Sequence, residues 1–84
     1  MKAHVTFYTK RGCHLCEEAK REIVRARCAG RYTFEEIDIE SDPSLLKRYG
    51  WEIPVVLING TIAFKYRLTA EEFRRAVEKY SKDI

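Results

Sequence analysis

The chain predicts an α/β layered domain: four strands in a mixed sheet, helices on both faces, in the order βαβαββα. Three observations carry this expectation. In the first half of the chain, a strand-like period is followed by a helical period and then by a second strand-like period. Two strands joined through a helix favour a parallel, right-handed pair. Further on, Asn59-Gly60 lies between two apolar runs and is a two-residue hairpin signal, which forces the last two strands antiparallel. The run Val55-Val56-Leu57-Ile58 is continuously apolar, as expected of a strand inside a sheet covered on both faces.

Each element can be justified in order. Val5-Thr6-Phe7-Tyr8 is β-branched and aromatic and stops at Lys10-Arg11-Gly12, which predicts a first strand. From Cys13 to about Ala29 the period becomes helical, with Leu15, Ala19, Ile23 and Ala26 on one stripe and Gly30 as the stop. Glu17 and Glu18 near its start and Arg25 and Arg27 near its end complement the helix dipole. Glu17 with Arg21 and Glu22 with Arg25 are at pairing distance in sequence. Thr33 to Ile39 is predicted to be a strand. Its alternation is imperfect, because Phe34 shares a face with Glu36 while Ile37 and Ile39 share the other, so a bulge or register change is open there. Ser41-Asp42-Pro43 starts a short helix that runs through Ser44 to Tyr49 and stops at Gly50. Pro54 opens the buried strand. After the hairpin, Thr61 to Tyr66 is predicted to be a strand with Ile62, Phe64 and Tyr66 on one face. Thr69-Ala70-Glu71-Glu72 is a capping box, followed by an apolar stripe of Ala70, Phe73, Val77 and Tyr80.

Composition limits the function classes. Residues 1–84 are expected to form one domain, whose small size allows only a modest core. No apolar run approaches the roughly 20 residues needed to span a bilayer, so no membrane partner is expected. Sixteen Lys and Arg against 13 Asp and Glu leave a net charge of +3, too little for an obvious polyanion binder. The basic run Lys20, Arg21, Arg25, Arg27 and Arg31 is interrupted by glutamates and has no aromatic platform, so it is expected to be a solvated helix face and not a nucleic-acid site. Three cysteines is an odd number, unlike a fully paired secreted framework. Met1-Lys2-Ala3-His4 leads straight into a strand without an apolar signal stretch, and a reducing, cytoplasmic setting is the default expectation.

The chemistry is expected at Cys13-His14-Leu15-Cys16, where the first strand ends and the first helix begins. Cys13 at a helix cap faces unpaired backbone N–H groups and the positive end of the dipole, both of which favour a thiolate. Thiols at such positions ionise well below the free value of about 8.5. Cys16 lies one turn further on the same side, close enough to close a disulfide, and its sulfur is expected to be less exposed than that of Cys13. Lys10 and Arg11 add positive charge just upstream, and protonated His14 would stabilise the same thiolate if it is not simply a solvent-facing residue. Cys13 would attack a substrate disulfide, and Cys16 would then resolve the mixed disulfide. A Cys-x-x-Cys can also be half of a zinc site. The remaining candidates are His4, His14 and Cys28, with Cys28 about 20 Å away along a continuous helix, so no metal site is expected. Cys28 is read as a small apolar filler on the first helix, with a regulatory or dimerising thiol as the other reading. His4 is read as structural, and Trp51 as packing or lining the rim of the site.

Tyr8-Thr9-Lys10-Arg11-Gly12-Cys13-His14-Leu15-Cys16 resembles the active-site segment of glutaredoxins, and Tyr49-Gly50-Trp51-Glu52-Ile53-Pro54-Val55-Val56 resembles the segment bearing the cis-proline loop of the thioredoxin superfamily. The likeness covers essentially the whole chain. It implies a thioredoxin-like fold and Cys13 and Cys16 as catalytic residues. It also implies a cis Ile53–Pro54 bond facing them, with the Ile53 N–H and C=O turned outward for an extended substrate. Lys10 matches a glutaredoxin lysine that helps bind glutathione; with Arg11, His14, Ile53 and Pro54 it makes the expected substrate-binding set. The chain departs from glutaredoxins in two places. His14-Leu15 stands between the cysteines in place of Pro-Tyr. The stretch Phe64 to Thr69 lacks the Gly-Gly pair that, with a polar residue, cradles the glutathione γ-glutamyl carboxylate at the last helix, and Glu72 there would repel a carboxylate.

The expected function is therefore a thiol–disulfide oxidoreductase acting on disulfide-bearing protein substrates or small thiols. No cofactor is expected, glutathione or thioredoxin reductase is the candidate reductant, and the molecule is expected to be a monomer. The competing reading is a non-catalytic module of the same fold that uses the groove between the cysteine pair and Pro54 to recruit a partner.

Overall fold

The sheet is built around β1 (Ala3–Thr9), whose Val5 and Phe7 are completely buried. The computed structural model describes residues 2–81. On one side of β1 lies β2 (Tyr32–Asp38); on the other lies β3 (Val55–Ile58), followed by β4 (Thr61–Lys65), in the order β2-β1-β3-β4. β1 and β2 are parallel, and β3 is antiparallel to both of its neighbours. This is the mixed four-stranded sheet the sequence predicts.

Three helices cover it: α1 (His14–Arg25), α2 (Pro43–Tyr49) and α3 (Ala70–Ser81). Side chains alternate across a strand, so Val5 and Phe7 share the face on which α1 and α3 lie. The core there joins them to Val56 and Ile58 of β3, Cys16, Ala19 and Ile23 of α1, and Phe73 and Val77 of α3. Tyr8 points to the other face and stacks on Tyr49 of α2, ring centres 5.1 Å apart. Helices on both faces follow.

Local signals are realised closely. Asn59 and Gly60 take φ of 52° and 82°, the positive pair that a tight hairpin with strand-matched twist requires. The Asn59 side chain accepts from the His4 amide at 2.9 Å, and the Asn59 amide donates to the His4 carbonyl at 2.8 Å, which ties the hairpin to the start of β1. Asp42 caps α2 by accepting from the Ser44 and Leu45 amides at 2.9 and 3.4 Å. Thr69 and Glu72 form the reciprocal capping box of α3, at 3.0 and 3.1 Å.

Four expectations are corrected. First, α1 ends at Arg25, well before Gly30. Ala26 is its C-cap and Arg27 turns left-handed at φ 53°, a conformation that costs a side-chain-bearing residue about 1 kcal/mol. The guanidinium of Arg74 on α3 donates to the Ala26 carbonyl at 3.0 Å, satisfying a group the helix end leaves open. Cys28 is therefore not on α1; it precedes a 3₁₀ turn at Ala29–Arg31. Second, β2 pairs with β1 without interruption, from Ala3 opposite Tyr32 to Thr9 opposite Asp38. Its irregular pattern reflects an edge strand exposed over most of its length, and Ile39 lies beyond it, buried in a 3₁₀ turn. Third, the register shift in the sheet falls between Val56 and Leu57, so Phe64 faces Val56 and Ile62 faces Leu57, leaving Ala63 extra. Phe64 lies against the core while Ile62 and Tyr66 are exposed, so they form no common face. Fourth, of the two readings of Trp51, packing or lining the rim of the site, packing is overturned: the side chain is 95% exposed.

Candidate active site

The turn after β1 sets the site. Gly12 has φ 79°, a conformation open to glycine and strained for other residues. That turn lets the Cys13 amide bond back to the Lys10 carbonyl at 3.3 Å and places Cys13 at the N-cap of α1, with φ −87° and ψ 108°. The Cys13 Sγ accepts from the Cys16 N–H at 3.1 Å, so the sulfur does what a Ser or Asp oxygen does at a helix start. Cys13 and Cys16 are joined as a disulfide across Cα atoms 5.2 Å apart, within the ordinary span. Cys13 is half-buried at the surface, whereas Cys16 is completely enclosed in the core. The asymmetry expected between the two sulfurs is present.

The remaining predicted residues surround this pair unevenly. His14 begins α1 and is exposed. Lys10 is half-buried and Arg11 exposed; they line a cleft of about 440 Å³ together with Glu17, Lys20, Glu36 and Asp38. Their positive charge thus shares a cleft with carboxylates. Lys20 itself bridges Glu17 at 3.1 Å and Glu36 at 3.0 Å, contacts that raise its pKa, the Glu36 bond most. The Ile53–Pro54 bond is cis. Val55 lies opposite Tyr8, so the proline precedes β3 at the same end of the sheet from which the cysteine turn departs. Pro54 is buried, and its carbonyl accepts from the Tyr66 amide at 2.9 Å. Among the described residues, neither the N–H nor the C=O of Ile53 makes a hydrogen bond outside the sheet ladders.

Other residues singled out from the sequence lie elsewhere. The His4 ring meets Thr33 Oγ1 at 2.8 Å and Glu35 Oε1 at 3.3 Å on the sheet surface, a structural role. Cys28 is half-buried, and burial pushes its thiol pKa upward; a thiol so placed is a poorer nucleophile at neutral pH. Among the described residues, no three His, Cys, Asp or Glu side chains gather as metal ligands would, and no helix is long and apolar enough to cross a membrane.

Sequence reasoning missed two residues of the groove that reaches Leu15. Tyr66 has φ 69° and sits at the centre of a tight turn in which the Arg67 amide bonds to the Lys65 carbonyl at 2.8 Å. Glu22 pairs with Arg25 as expected, at 2.9 Å, but also accepts from the Ala70 amide of α3 at 3.0 Å. The (i, i+3) spacing announces the first contact; nothing local announces the second. Both residues line a groove of about 540 Å³ that includes Leu15, from between the cysteines.

Residues 4–78 match the family described as "Glutaredoxin-like domain (DUF836)". This chain belongs to the glutaredoxin-like family. A glutaredoxin-like protein of Dictyostelium discoideum, described as a YDR286C homolog, is 33% identical over 75 residues, covering 82% of this chain and 69% of the relative. Among solved structures, the X. campestris protein XcR50 superposes with a TM-score of 0.76 at 25% identity, covering 89% of this chain and 96% of its own. A chloroplastic thioredoxin z gives a TM-score of 0.76 at 18% identity, covering 96% of this chain and 80% of that one. Its likeness shows the fold. The glutaredoxin-like chain thus has a thioredoxin-like α/β fold that carries a Cys13–Cys16 pair at the start of its first helix.

Proposed function

We propose that this glutaredoxin-like protein is a thiol–disulfide oxidoreductase that exchanges its Cys13/Cys16 dithiol with disulfides of protein substrates. The observation that carries the reading is Cys13 serving as the N-cap, its Sγ accepting the Cys16 amide at 3.1 Å while Cys16 itself is enclosed. In the reduced protein that amide and the helix dipole favour a thiolate on Cys13 over the thiol. The thiolate attacks one sulfur of a substrate disulfide; that S–S bond breaks, a Cys13–substrate disulfide forms and the other substrate sulfur leaves as thiolate. Cys16, deprotonated, attacks Cys13, closes the internal disulfide and releases the second substrate thiolate. Two electrons pass from the dithiol to the substrate, and an external thiol or dithiol restores the cysteines.

The N–H and C=O of Ile53 beside Pro54, which among the described residues make no hydrogen bond outside the sheet ladders, support a peptide substrate, since an extended segment can pair with them as an added strand. Lys10, Arg11 and His14 are proposed as its flanking contacts.

The test is reduction of insulin disulfides with dithiothreitol as the electron source. Wild type is expected to turn over, Cys13→Ser to be inactive, and Cys16→Ser to accumulate a mixed disulfide on Cys13 visible by mass. Equal activity of Cys13→Ser and wild type would remove the reading.

A further inference from the structure

The groove that starts at Leu15 ends at the N-terminus of α3. A helix start normally draws an anion, because its first amides lack partners and its dipole is positive there. In this protein three of the amides at that end, those of Thr69, Ala70 and Glu72, are already engaged. The Thr69 amide donates to Glu72 at 3.0 Å, the Ala70 amide to Glu22 at 3.0 Å, and the Glu72 amide to Thr69 Oγ1 at 3.1 Å. Glu72 and Thr69 are the helix's own cap. Glu22 is different: it reaches across from α1, 48 residues away, and its other oxygen is held by Arg25 at 2.9 Å. Glu22 stands where the carboxylate of a ligand would stand. The Ala70 amide first, then Arg25, hold its carboxyl below the usual carboxylate range, so it stays charged at neutral pH.

We propose that Glu22 is a specificity-determining residue: it fills the anion position of the groove that begins at Leu15, so that the protein discriminates against disulfides bearing carboxylates and favours neutral or cationic ones. The proposal rests on the disulfide-exchange reading and narrows its substrate class. Glu18, Glu22 and Glu72 line the groove against Arg21 and Arg67, so acidic groups outnumber basic ones. An incoming carboxylate must displace Glu22 from Ala70 or lie against it unpaired. Glutathione disulfide, with carboxylates at its ends, belongs to the disfavoured class.

The experiment uses three small disulfides of similar size: bis(2-hydroxyethyl) disulfide, which is neutral, cystamine, which is cationic, and 3,3′-dithiodipropionate, which is anionic. Pre-reduced protein is mixed with each. Cys13 displaces one small thiolate, Cys16 displaces the second, and formation of the internal disulfide is followed by loss of alkylatable thiols. Rates are divided by those of the same disulfides with free cysteine. Wild type is expected to disfavour the anionic compound relative to the neutral one. Glu22→Ala is expected to raise that anionic-to-neutral ratio about fivefold by freeing the Ala70 amide. Glu22→Gln, whose amide oxygen can still occupy Ala70, is expected to raise it less, and circular dichroism checks that both variants are folded. An unchanged ratio in both variants, or a wild-type preference for the anionic compound, overturns the proposal. Oxidation by none of the three overturns this proposal, whereas failure of Cys13-dependent insulin reduction overturns the exchange reading, which separates the two failures.

Discussion

The sulfur of Cys13 has two roles that substitution can separate: it accepts the Cys16 amide and it is the proposed nucleophile. A serine hydroxyl at this position can still accept that amide. Cys13→Ser is therefore expected to abolish exchange while keeping reduced-state stability within about 0.5 kcal/mol of wild type. Cys13→Ala lacks the acceptor and is expected to lose about 1 kcal/mol as well, measured by urea unfolding under dithiothreitol. A stability loss as large for Ser as for Ala would mean the side chain's cap contact does not support α1. Glu22 makes a second residue-scale prediction. The Ala70 amide and Arg25 hold its folded carboxyl below the ordinary glutamate value, so the stability it contributes is present above that value and is lost as pH falls through the folded pKa. Glu22→Gln cannot titrate. The variant is expected to show a shallower decline in stability between about pH 5 and pH 3, read from urea midpoints at each pH. Identical acid limbs would show that the Ala70 contact does not form in solution.

The elements that the sequence made legible are those whose signals are local. The capping box of α3 lies within four consecutive residues, Thr69 to Glu72, and both of its bonds form. The hairpin needs only Asn59 and Gly60, and the helix-cap position of Cys13 needs only the turn before it. The end of α1 was not legible, because the contact that receives its last carbonyl comes from Arg74, 48 residues away. The same separation hides the Glu22–Ala70 bond. Likewise the exposure of Trp51 could not be read from its type, since an aromatic side chain is more often packed. These two kinds of signal predict different mutational outcomes. Thr69→Ala is expected to destabilise by about 1 kcal/mol, as loss of a cap does. Arg27→Gly is expected to stabilise by about 0.5 kcal/mol, because glycine adopts the left-handed turn at Arg27 without the Cβ clash, less the backbone entropy it adds to the unfolded chain. Urea midpoints for the two variants should move in opposite directions; movement of Arg27→Gly to lower urea would show that the left-handed turn is not strained by the Arg27 side chain.

At the scale of the whole molecule, the cysteine pair depends on a core of which Cys16 is itself a member. Residues from β1, β3, α1 and α3 meet in one cluster, and Phe73 is its large completely buried side chain from α3. Its ring lies edge-on to Tyr32 of β2, centres 5.2 Å apart, so one side chain connects the last helix to the sheet's edge strand. Small domains bury a limited fraction of their surface, which leaves little stability in reserve. Truncating a buried phenylalanine to alanine removes about 3–4 kcal/mol through lost burial and the cavity left behind. For a domain of this size each kcal/mol lowers the melting temperature by roughly 4–8 °C, so Phe73→Ala is expected to melt about 15–25 °C below wild type. The same cluster encloses Cys16, so the variant should also expose this thiol. In the reduced state, alkylation of Cys16 by iodoacetamide is expected to accelerate at temperatures where wild type still protects it. Cys13, already at the surface, should change much less. If Cys16 and Cys13 accelerate equally below the melting transition, the Cys16 sulfur owes its protection to its own turn and not to the shared core.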